Sequence, residues 1–136
     1  DVFQVTLSLM EPSVADTLLP KAKDGGVGIV TRCPFAAGFL SGSVDEQTRF
    51  AEDDRRSWQP EASKQERADA ARAVRFLERP DRSLAQACLK YPLAFDGVST
   101  VIPGSKSLEH VRENAGASEA PDLTQEELSR IAAVFT

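Results

Sequence analysis

The sequence is poor in the residue types on which several classes of function depend. Its 136 residues include only two cysteines, one histidine, one tyrosine and one tryptophan. Two cysteines are too few for a disulfide framework, which favours a reducing, cytoplasmic setting. Cys33 and Cys88, with the distant His110, do not supply the three or four converging ligands of a structural metal site. We therefore expect neither disulfides nor a bound metal.

The charge and hydropathy patterns argue against several partners. The formal net charge of −5 disfavours nucleic acid or an anionic membrane surface as the main partner. No apolar run approaches the roughly 20 residues of a membrane-spanning helix. The opening residues 1–4 lack the basic and apolar regions of a signal peptide. Neither a P-loop lysine motif nor a Gly-x-Gly-x-x-Gly fingerprint occurs. The composition, 41% hydrophobic and 27% charged, is that of an ordinary soluble domain.

Residues 98–114 predict a buried strand, a sharp turn and a helix. The apolar, β-branched residues within 98–102 favour the strand, and Pro103 with Gly104 ends it. Ser107 can cap the following helix. Free N–H groups and the positive dipole end at a helix N-terminus favour an anion, so the turn is a candidate phosphate site. Three residues of the helix share an apolar face that we expect to meet a core: Leu108, Val111 and Ala115.

The rest of the chain predicts a parallel α/β arrangement. Residues 2–10 read as a first strand, and residues 27–32 as a second strand. The helix between them opens near Pro12 and is interrupted or restarted at Pro20. A strand, a helix and a strand joined by short turns form a βαβ unit. The overall order β-α-β-α-α-β-α-α is that of the last part of a closed β/α barrel. Three later helices are expected to begin at capping boxes: Ser63–Glu66, Ser83–Gln86 and Thr124–Glu127.

Two loops need separate interpretations. Residues 33–42 are small and glycine-containing, as in a loop approached by a ligand; the alternative is an apolar turn that packs on a neighbouring helix. Residues 43–61 are polar and irregular, which is typical of an active-site lid or of a disordered segment. Within them, residues 52–56 are interpreted as a solvated charge run.

Four stretches of the sequence carry a resemblance to a known family. They are Phe3–Leu9, Gly26–Gly42, Ser83–Tyr91, and Ser99-Thr-Val-Ile-Pro-Gly-Ser105 followed by Arg112-Glu-Asn114. In this order and spacing they resemble strand six, strand seven with its loop, the helix before strand eight, and strand eight with its phosphate loop of the aldo/keto reductases. Members of that family are NADPH-dependent (β/α)8-barrel oxidoreductases. The resemblance implies that residues 1–136 are a single incomplete domain, three parallel strands with surrounding helices from a partial TIM barrel.

The same resemblance implies a set of cofactor contacts for NADP(H). A glutamine and an arginine fall at the nicotinamide, where a flat guanidinium can stack. The loop after strand seven falls at the pyrophosphate, and the loop after strand eight falls at the adenosine 2′-phosphate and adenine. His110 stands where the family often has arginine, which weakens the positive charge there. The implied cofactor-binding residues are Gln4, Arg32, Cys33, Phe35, Gly38, Gly104, Ser105, Lys106, Ser107, His110, Glu113 and Asn114.

The resemblance also implies that the catalytic residues lie outside this sequence. The family's aspartate, tyrosine, lysine and histidine are carried on the earlier strands. Tyr91 falls on the apolar face of a helix, and His110 belongs to the phosphate loop. We therefore expect no catalytic residue in this chain, no turnover by the chain alone, and a small carbonyl substrate only for a whole enzyme.

Two alternatives remain open at this point. In the first alternative, the chain is a non-catalytic nucleotide-binding or interaction module that self-associates or is completed by an N-terminal portion. In the second alternative, it is a truncated product without a function of its own. Mass in solution separates a stable pairing module from a simple truncation. The coding region upstream of Asp1 is the decisive observation, since a continuous reading frame that encodes the earlier strands would settle the question.

Overall fold

A computed structural model describes residues 1–135. Its three strands are β1 (Val2–Thr6), β2 (Gly28–Arg32) and β3 (Val98–Ile102). They lie side by side in the order β1-β2-β3, and both pairings are parallel. Within the described residues the sheet does not close. These features confirm the predicted partial α/β barrel.

Six α-helices surround this sheet in the described part of the chain. None of them combines the length and the apolar character that crossing a membrane requires. Short 3-10 turns occur at Ala36–Ser41, Arg75–Leu77 and Gly116–Ser118. The helices are α1 (Val14–Thr17), α2 (Leu19–Asp24), α3 (Glu61–Ala73), α4 (Leu84–Leu93), α5 (Leu108–Ala115) and α6 (Gln125–Phe135).

Two of the three predicted capping boxes are confirmed. At the start of α4, the Ser83 hydroxyl accepts from the Gln86 amide at 3.2 Å, and the Gln86 side chain accepts from the Ser83 amide at 3.0 Å. Thr124 and Glu127 form the equivalent reciprocal pair before α6. The box predicted at residues 63–66 is wrong. Helix α3 begins directly after Pro60, with no side-chain cap, so Ser63 and Glu66 lie inside the helix.

Helix α4 is the central element of the core. Eight of its ten residues are buried, and six of these meet Leu7, Ile29 and Leu40 in one apolar cluster. Cys88 is fully buried, and its thiol donates to the Leu40 carbonyl at 3.5 Å. Burial raises the pKa of this thiol, which keeps it protonated and inert. The role of Cys88 is therefore packing.

The apolar face predicted for the helix after β3 is not buried. In α5, Leu108 is 64% exposed and Val111 is 50% exposed, because nothing in the described chain covers that side of the helix. The free edge strand β1 likewise exposes Val2 and Phe3. The first strand is also shorter than predicted, since it ends at Thr6 and a turn follows.

A buried ion pair connects α6 to the turn before α4. The Arg82 guanidinium is fully buried and donates to Glu127 at 2.6 Å. It also donates to the carbonyl oxygens of Leu77, Pro121 and Asp122. Burial acts to raise the pKa of Glu127, but its hydrogen bonds with Arg82 and the Thr124 amide outweigh burial and lower the pKa. The carboxylate is therefore kept ionised.

Candidate functional site

A cavity of about 570 Å³ lies at the C-terminal ends of β2 and β3. Arg32 and Ile102, the last residues of these two strands, form part of its wall. Residues 33–38, the turn at residues 104–106 and one face of α5 complete most of the lining. The ends of parallel barrel strands are where this architecture carries its sites.

Ten of the twelve residues predicted to contact a cofactor line this one cavity. Gln4 and Ser107 do not. Gln4 is exposed in the edge strand β1. Ser107 instead caps α5, where its hydroxyl accepts from the His110 amide at 3.2 Å, as its sequence position predicted. The ten lining residues are Arg32, Cys33, Phe35, Gly38, Gly104, Ser105, Lys106, His110, Glu113 and Asn114.

The loop after β2 has an unusual backbone. Cys33, Ala36 and Ala37 have φ values of 59°, 45° and 65°, and Gly38 has 105°. Left-handed φ at residues other than glycine costs about 1–3 kcal/mol each and tends to occur at functional sites. A Cβ at Gly38 would lie 2.9 Å from the Val44 side chain, so glycine is needed for close approach as well. The surrounding structure thus imposes a specific loop shape on this wall of the cavity.

The turn after β3 is held to α5 by side-chain hydrogen bonds. The Asn114 side-chain amide donates to the Ser105 hydroxyl at 2.9 Å. This bond joins the last turn of α5 to the turn after β3. From α4, the Gln86 amide donates to the Glu113 carbonyl at 3.3 Å. His110 and Asn114 both face the cavity, as their spacing of one helical turn predicts. The last turn of α5 is therefore held beside Ser105.

A third wall comes from the segment interpreted as a solvated charge run, and that interpretation is wrong for two of its residues. The Asp54 carboxylate accepts from the Arg56 guanidinium at 2.5 Å and from the Arg56 amide at 3.0 Å. Arg56 also donates to the Ala37 carbonyl at 3.3 Å and stacks on Phe50, 4.2 Å from the ring centre. Both members of the ion pair are half-buried, with side-chain exposures of 19% for Arg56 and 24% for Asp54. The 54–56 segment is thus attached to the loop after β2.

The electrostatics of the cavity differ from those of the whole chain. Four cationic and two acidic side chains line it, whereas the chain carries a net charge of −5. Hydrogen bonds from Arg56 hold the pKa of Asp54 well below its usual range, so this carboxylate stays ionised and paired. The excess positive charge, with a helix N-terminus beside it, favours an anionic ligand.

The described cavity lining includes His110 but no tyrosine that could act as a proton donor. Tyr91 is buried in α4, in an edge-to-face contact with Phe95 at 5.1 Å, and is not part of the lining. Burial, followed by the nearby charge of Asp16, raises the pKa of its hydroxyl. The Cys33 thiol is exposed and accepts from Arg32 at 3.1 Å. Among residues 1–135, no cluster of three or more histidine, cysteine, aspartate or glutamate residues suits a metal ion. The described lining favours an anionic ligand, and it contains no tyrosine that could serve as a general acid.

Comparisons with known proteins agree with this geometry. A profile of the aldo/keto reductase family matches residues 1–135. The uncharacterized oxidoreductase YqkF of Bacillus subtilis is 31% identical over 113 residues, 83% of this chain and 36% of that protein. L-galactose dehydrogenase of Arabidopsis thaliana is 27% identical over 154 residues, 99% of this chain and 45% of that protein.

A solved structure gives the same result. The aldo-keto reductase AKR11C1 of Bacillus halodurans is 28% identical and has a TM-score of 0.69, with 98% of this chain and 42% of that chain covered. The chain thus spans less than half the length of these relatives, and with the family profile matched across nearly all of it, the chain belongs to the aldo/keto reductase family.

Proposed function

We propose that this chain is the cofactor-binding portion of an NADP(H)-dependent aldo/keto reductase that reduces aldehydes or ketones. The observation that carries the proposal is the meeting of ten implied cofactor residues in one cavity with excess positive charge. We also propose that the whole enzyme acts on a small carbonyl compound in the cytoplasm.

The donor set fits a dinucleotide with phosphate groups. Ser105 and Lys106 stand at the N-terminus of α5 and suit the adenosine 2′-phosphate, while Glu113 and Asn114 suit the adenine. The backbone of residues 33–38 suits the pyrophosphate. When bound, the cofactor supplies a hydride to the carbonyl carbon. This chain's own residues bind and orient it.

The nicotinamide end is the less complete part of the proposed site. Arg32 lines the cavity and is exposed; its guanidinium donates to the Cys33 thiol, and the guanidinium plane can stack on a flat ring. Gln4 lies two strands away from β3, in the free edge strand β1. Its proposed contact with the carboxamide has less support than the others, because Gln4 does not line the cavity. The adenosine end is therefore where this chain alone should bind most strongly.

The binding of NADPH tests this proposal. Trp58, the only tryptophan, is 74% exposed and lies two residues beyond the cavity residue Arg56. We expect NADPH to quench its fluorescence saturably and to bind more tightly than NADH. Lys106→Ala should weaken NADPH by about 10- to 100-fold, because a hydrogen bond to a charged group contributes about 1.5–3 kcal/mol. Equal affinity for the two cofactors would remove the 2′-phosphate argument, and no binding of either would refute the proposal.

A second candidate function rests on the free edges of the sheet. Phe3 on β1, Ile102 on β3 and Leu108 on α5 are 52%, 45% and 64% exposed. Unpaired strand edges with apolar flanks favour pairing with further strands. The chain would then be a nucleotide-binding module completed by a second copy or by an N-terminal portion.

Solution mass is the observation that tests this second candidate. A stable dimer by light scattering, lost in the double variant Phe3→Lys and Leu108→Lys, would favour a self-associating module. Val134→Lys is the matched control, since Val134 is also an exposed apolar residue, 40% accessible, but lies on α6 away from both strand edges. A monomer across micromolar concentrations would rule out self-association.

A further inference from the structure

We propose that Arg55 is a specificity-determining residue, which joins Lys106 on the adenosine 2′-phosphate and so makes the site discriminate NADP(H) from NAD(H). This inference rests on the proposed function. It adds a contact from the 43–61 segment, which neither the sequence pattern nor the resemblance assigned.

Arg55 is exposed and lines the cavity. In contrast to its neighbour Arg56, its guanidinium has no hydrogen bond or ion pair among the contacts found in residues 1–135. An arginine side chain that is left free beside a cavity keeps five N–H donors for a ligand. Arg55 is therefore available, and Arg56 is not.

The backbone on both sides of Arg55 is held in place. Asp54 and Arg56 pair with each other, and Arg56 is bonded to the Ala37 carbonyl of the loop after β2. Arg55 stands between these two anchored residues, so its Cα is fixed at the cavity wall. This arrangement lowers the entropy that the segment loses when Arg55 binds a ligand.

The 54–56 segment and Lys106 line the same cavity. Lys106 is close enough to Asp54 for its charge to contribute to the lowered pKa of that carboxylate, after the larger effect of Arg56. Arg55 is the next residue along the chain, and its side chain lines the same cavity as that of Lys106, which comes from the turn after β3. Asp54 does not neutralise Arg55, because Arg56 occupies its oxygens.

The two unpaired cationic side chains, Arg55 and Lys106, line one cavity, and this favours an anionic ligand there. The remaining acidic residue of the lining is Glu113, on α5; a single carboxylate does not neutralise both. A phosphate monoester carries nearly two negative charges and three acceptor oxygens. An arginine fork binds such a group at two points, while lysine contributes a point charge. The 2′-phosphate has this chemistry, and it is the group that NADH lacks.

The test compares the affinities of NADPH and NADH for the chain and its variants, followed by Trp58 fluorescence. Arg55→Ala should weaken NADPH binding by about tenfold and leave NADH within twofold. Arg55→Lys should recover part of the loss, since it restores charge without the fork. Arg49→Ala is the matched control. It removes an exposed arginine of the same segment that is not part of the lining, and should change neither affinity.

Other outcomes overturn the inference in distinguishable ways. Equal losses for NADPH and NADH in Arg55→Ala would place Arg55 at the pyrophosphate. Unchanged NADPH affinity would show that Arg55 contacts no phosphate. If the unmodified chain binds neither cofactor, the proposed function fails and the inference fails with it. Binding of NADPH by the unmodified chain, with no effect of Arg55→Ala, would refute only the inference.

Discussion

Arg82→Ala is expected to lower the free energy of unfolding by about 3–5 kcal/mol, the usual result of breaking a buried ion pair from one side. The substitution leaves Glu127 buried without its main partner, at a side-chain exposure of 9%. It also removes the donors to the carbonyl oxygens of Leu77, Pro121 and Asp122. Unsatisfied buried acceptors add to the cost. Urea unfolding followed by circular dichroism measures the change.

Arg79→Ala provides the matched control, because Arg79 contacts the same carboxylate from the surface. Its guanidinium lies 3.5 Å from Glu127 and its side chain is 41% exposed. Exposed ion pairs contribute about 0–1 kcal/mol, so this variant should unfold close to the unmodified chain. Equal losses in the free energy of unfolding for the two variants would contradict the prediction. They would show that the buried Arg82 stabilises the fold no more than the exposed Arg79 does.

The Arg82 cluster also supports the candidate site. Arg82 directly precedes Ser83, which caps α4. Helix α4 contributes Ala85 to the cavity wall, and its Gln86 holds the carbonyl of Glu113 on α5. Loosening the start of α4 should therefore weaken NADPH binding as well as stability. Arg79→Ala should leave NADPH affinity unchanged.

Local sequence patterns predicted the elements that depend on local chemistry. The parallel strand–helix order, the break at Pro20 and the caps at Ser83, Ser107 and Thr124 follow from side chains within one helical turn. The resemblance to a family supplied the rest of the site, since it gave twelve residues of which ten share the cavity. Residues 104–107, which form the turn between β3 and α5, predicted by themselves only a phosphate site.

Features that depend on distant contacts were not predictable from the sequence. The bond from Arg56 to the Ala37 carbonyl joins residues 19 positions apart, and the Arg82–Glu127 pair joins residues 45 apart. Nothing local marks Arg82 as buried, because arginine is ordinarily a surface residue. The exposed face of α5 shows the converse case. Its apolar spacing predicted burial, but a helix buries a face only where a partner is present.

The purified chain is expected to oxidise NADPH no faster than buffer with any member of a broad panel of aldehydes and ketones. Hydride transfer to a carbonyl requires a proton for the developing alkoxide, and general acid catalysis contributes about 10²- to 10⁴-fold by itself. The described cavity lining contains no tyrosine. The absorbance of NADPH at saturating cofactor measures the rate, and quenching of Trp58 in the same samples verifies that the cofactor is bound.

If the chain shows any turnover, the Tyr91→Phe variant tests whether the Tyr91 hydroxyl is the proton donor. Tyr91 is 6% exposed and packs against Phe95, so removing its hydroxyl should change neither the NADPH affinity nor the rate. Turnover by the unmodified chain that Tyr91→Phe abolishes would identify Tyr91 as the acid and overturn its assignment to the core. Turnover that survives the substitution would show a proton donor that the geometry does not reveal. Saturable NADPH binding without turnover is the result expected if the chain holds the cofactor, as we propose, and the proton donor lies outside residues 1–136.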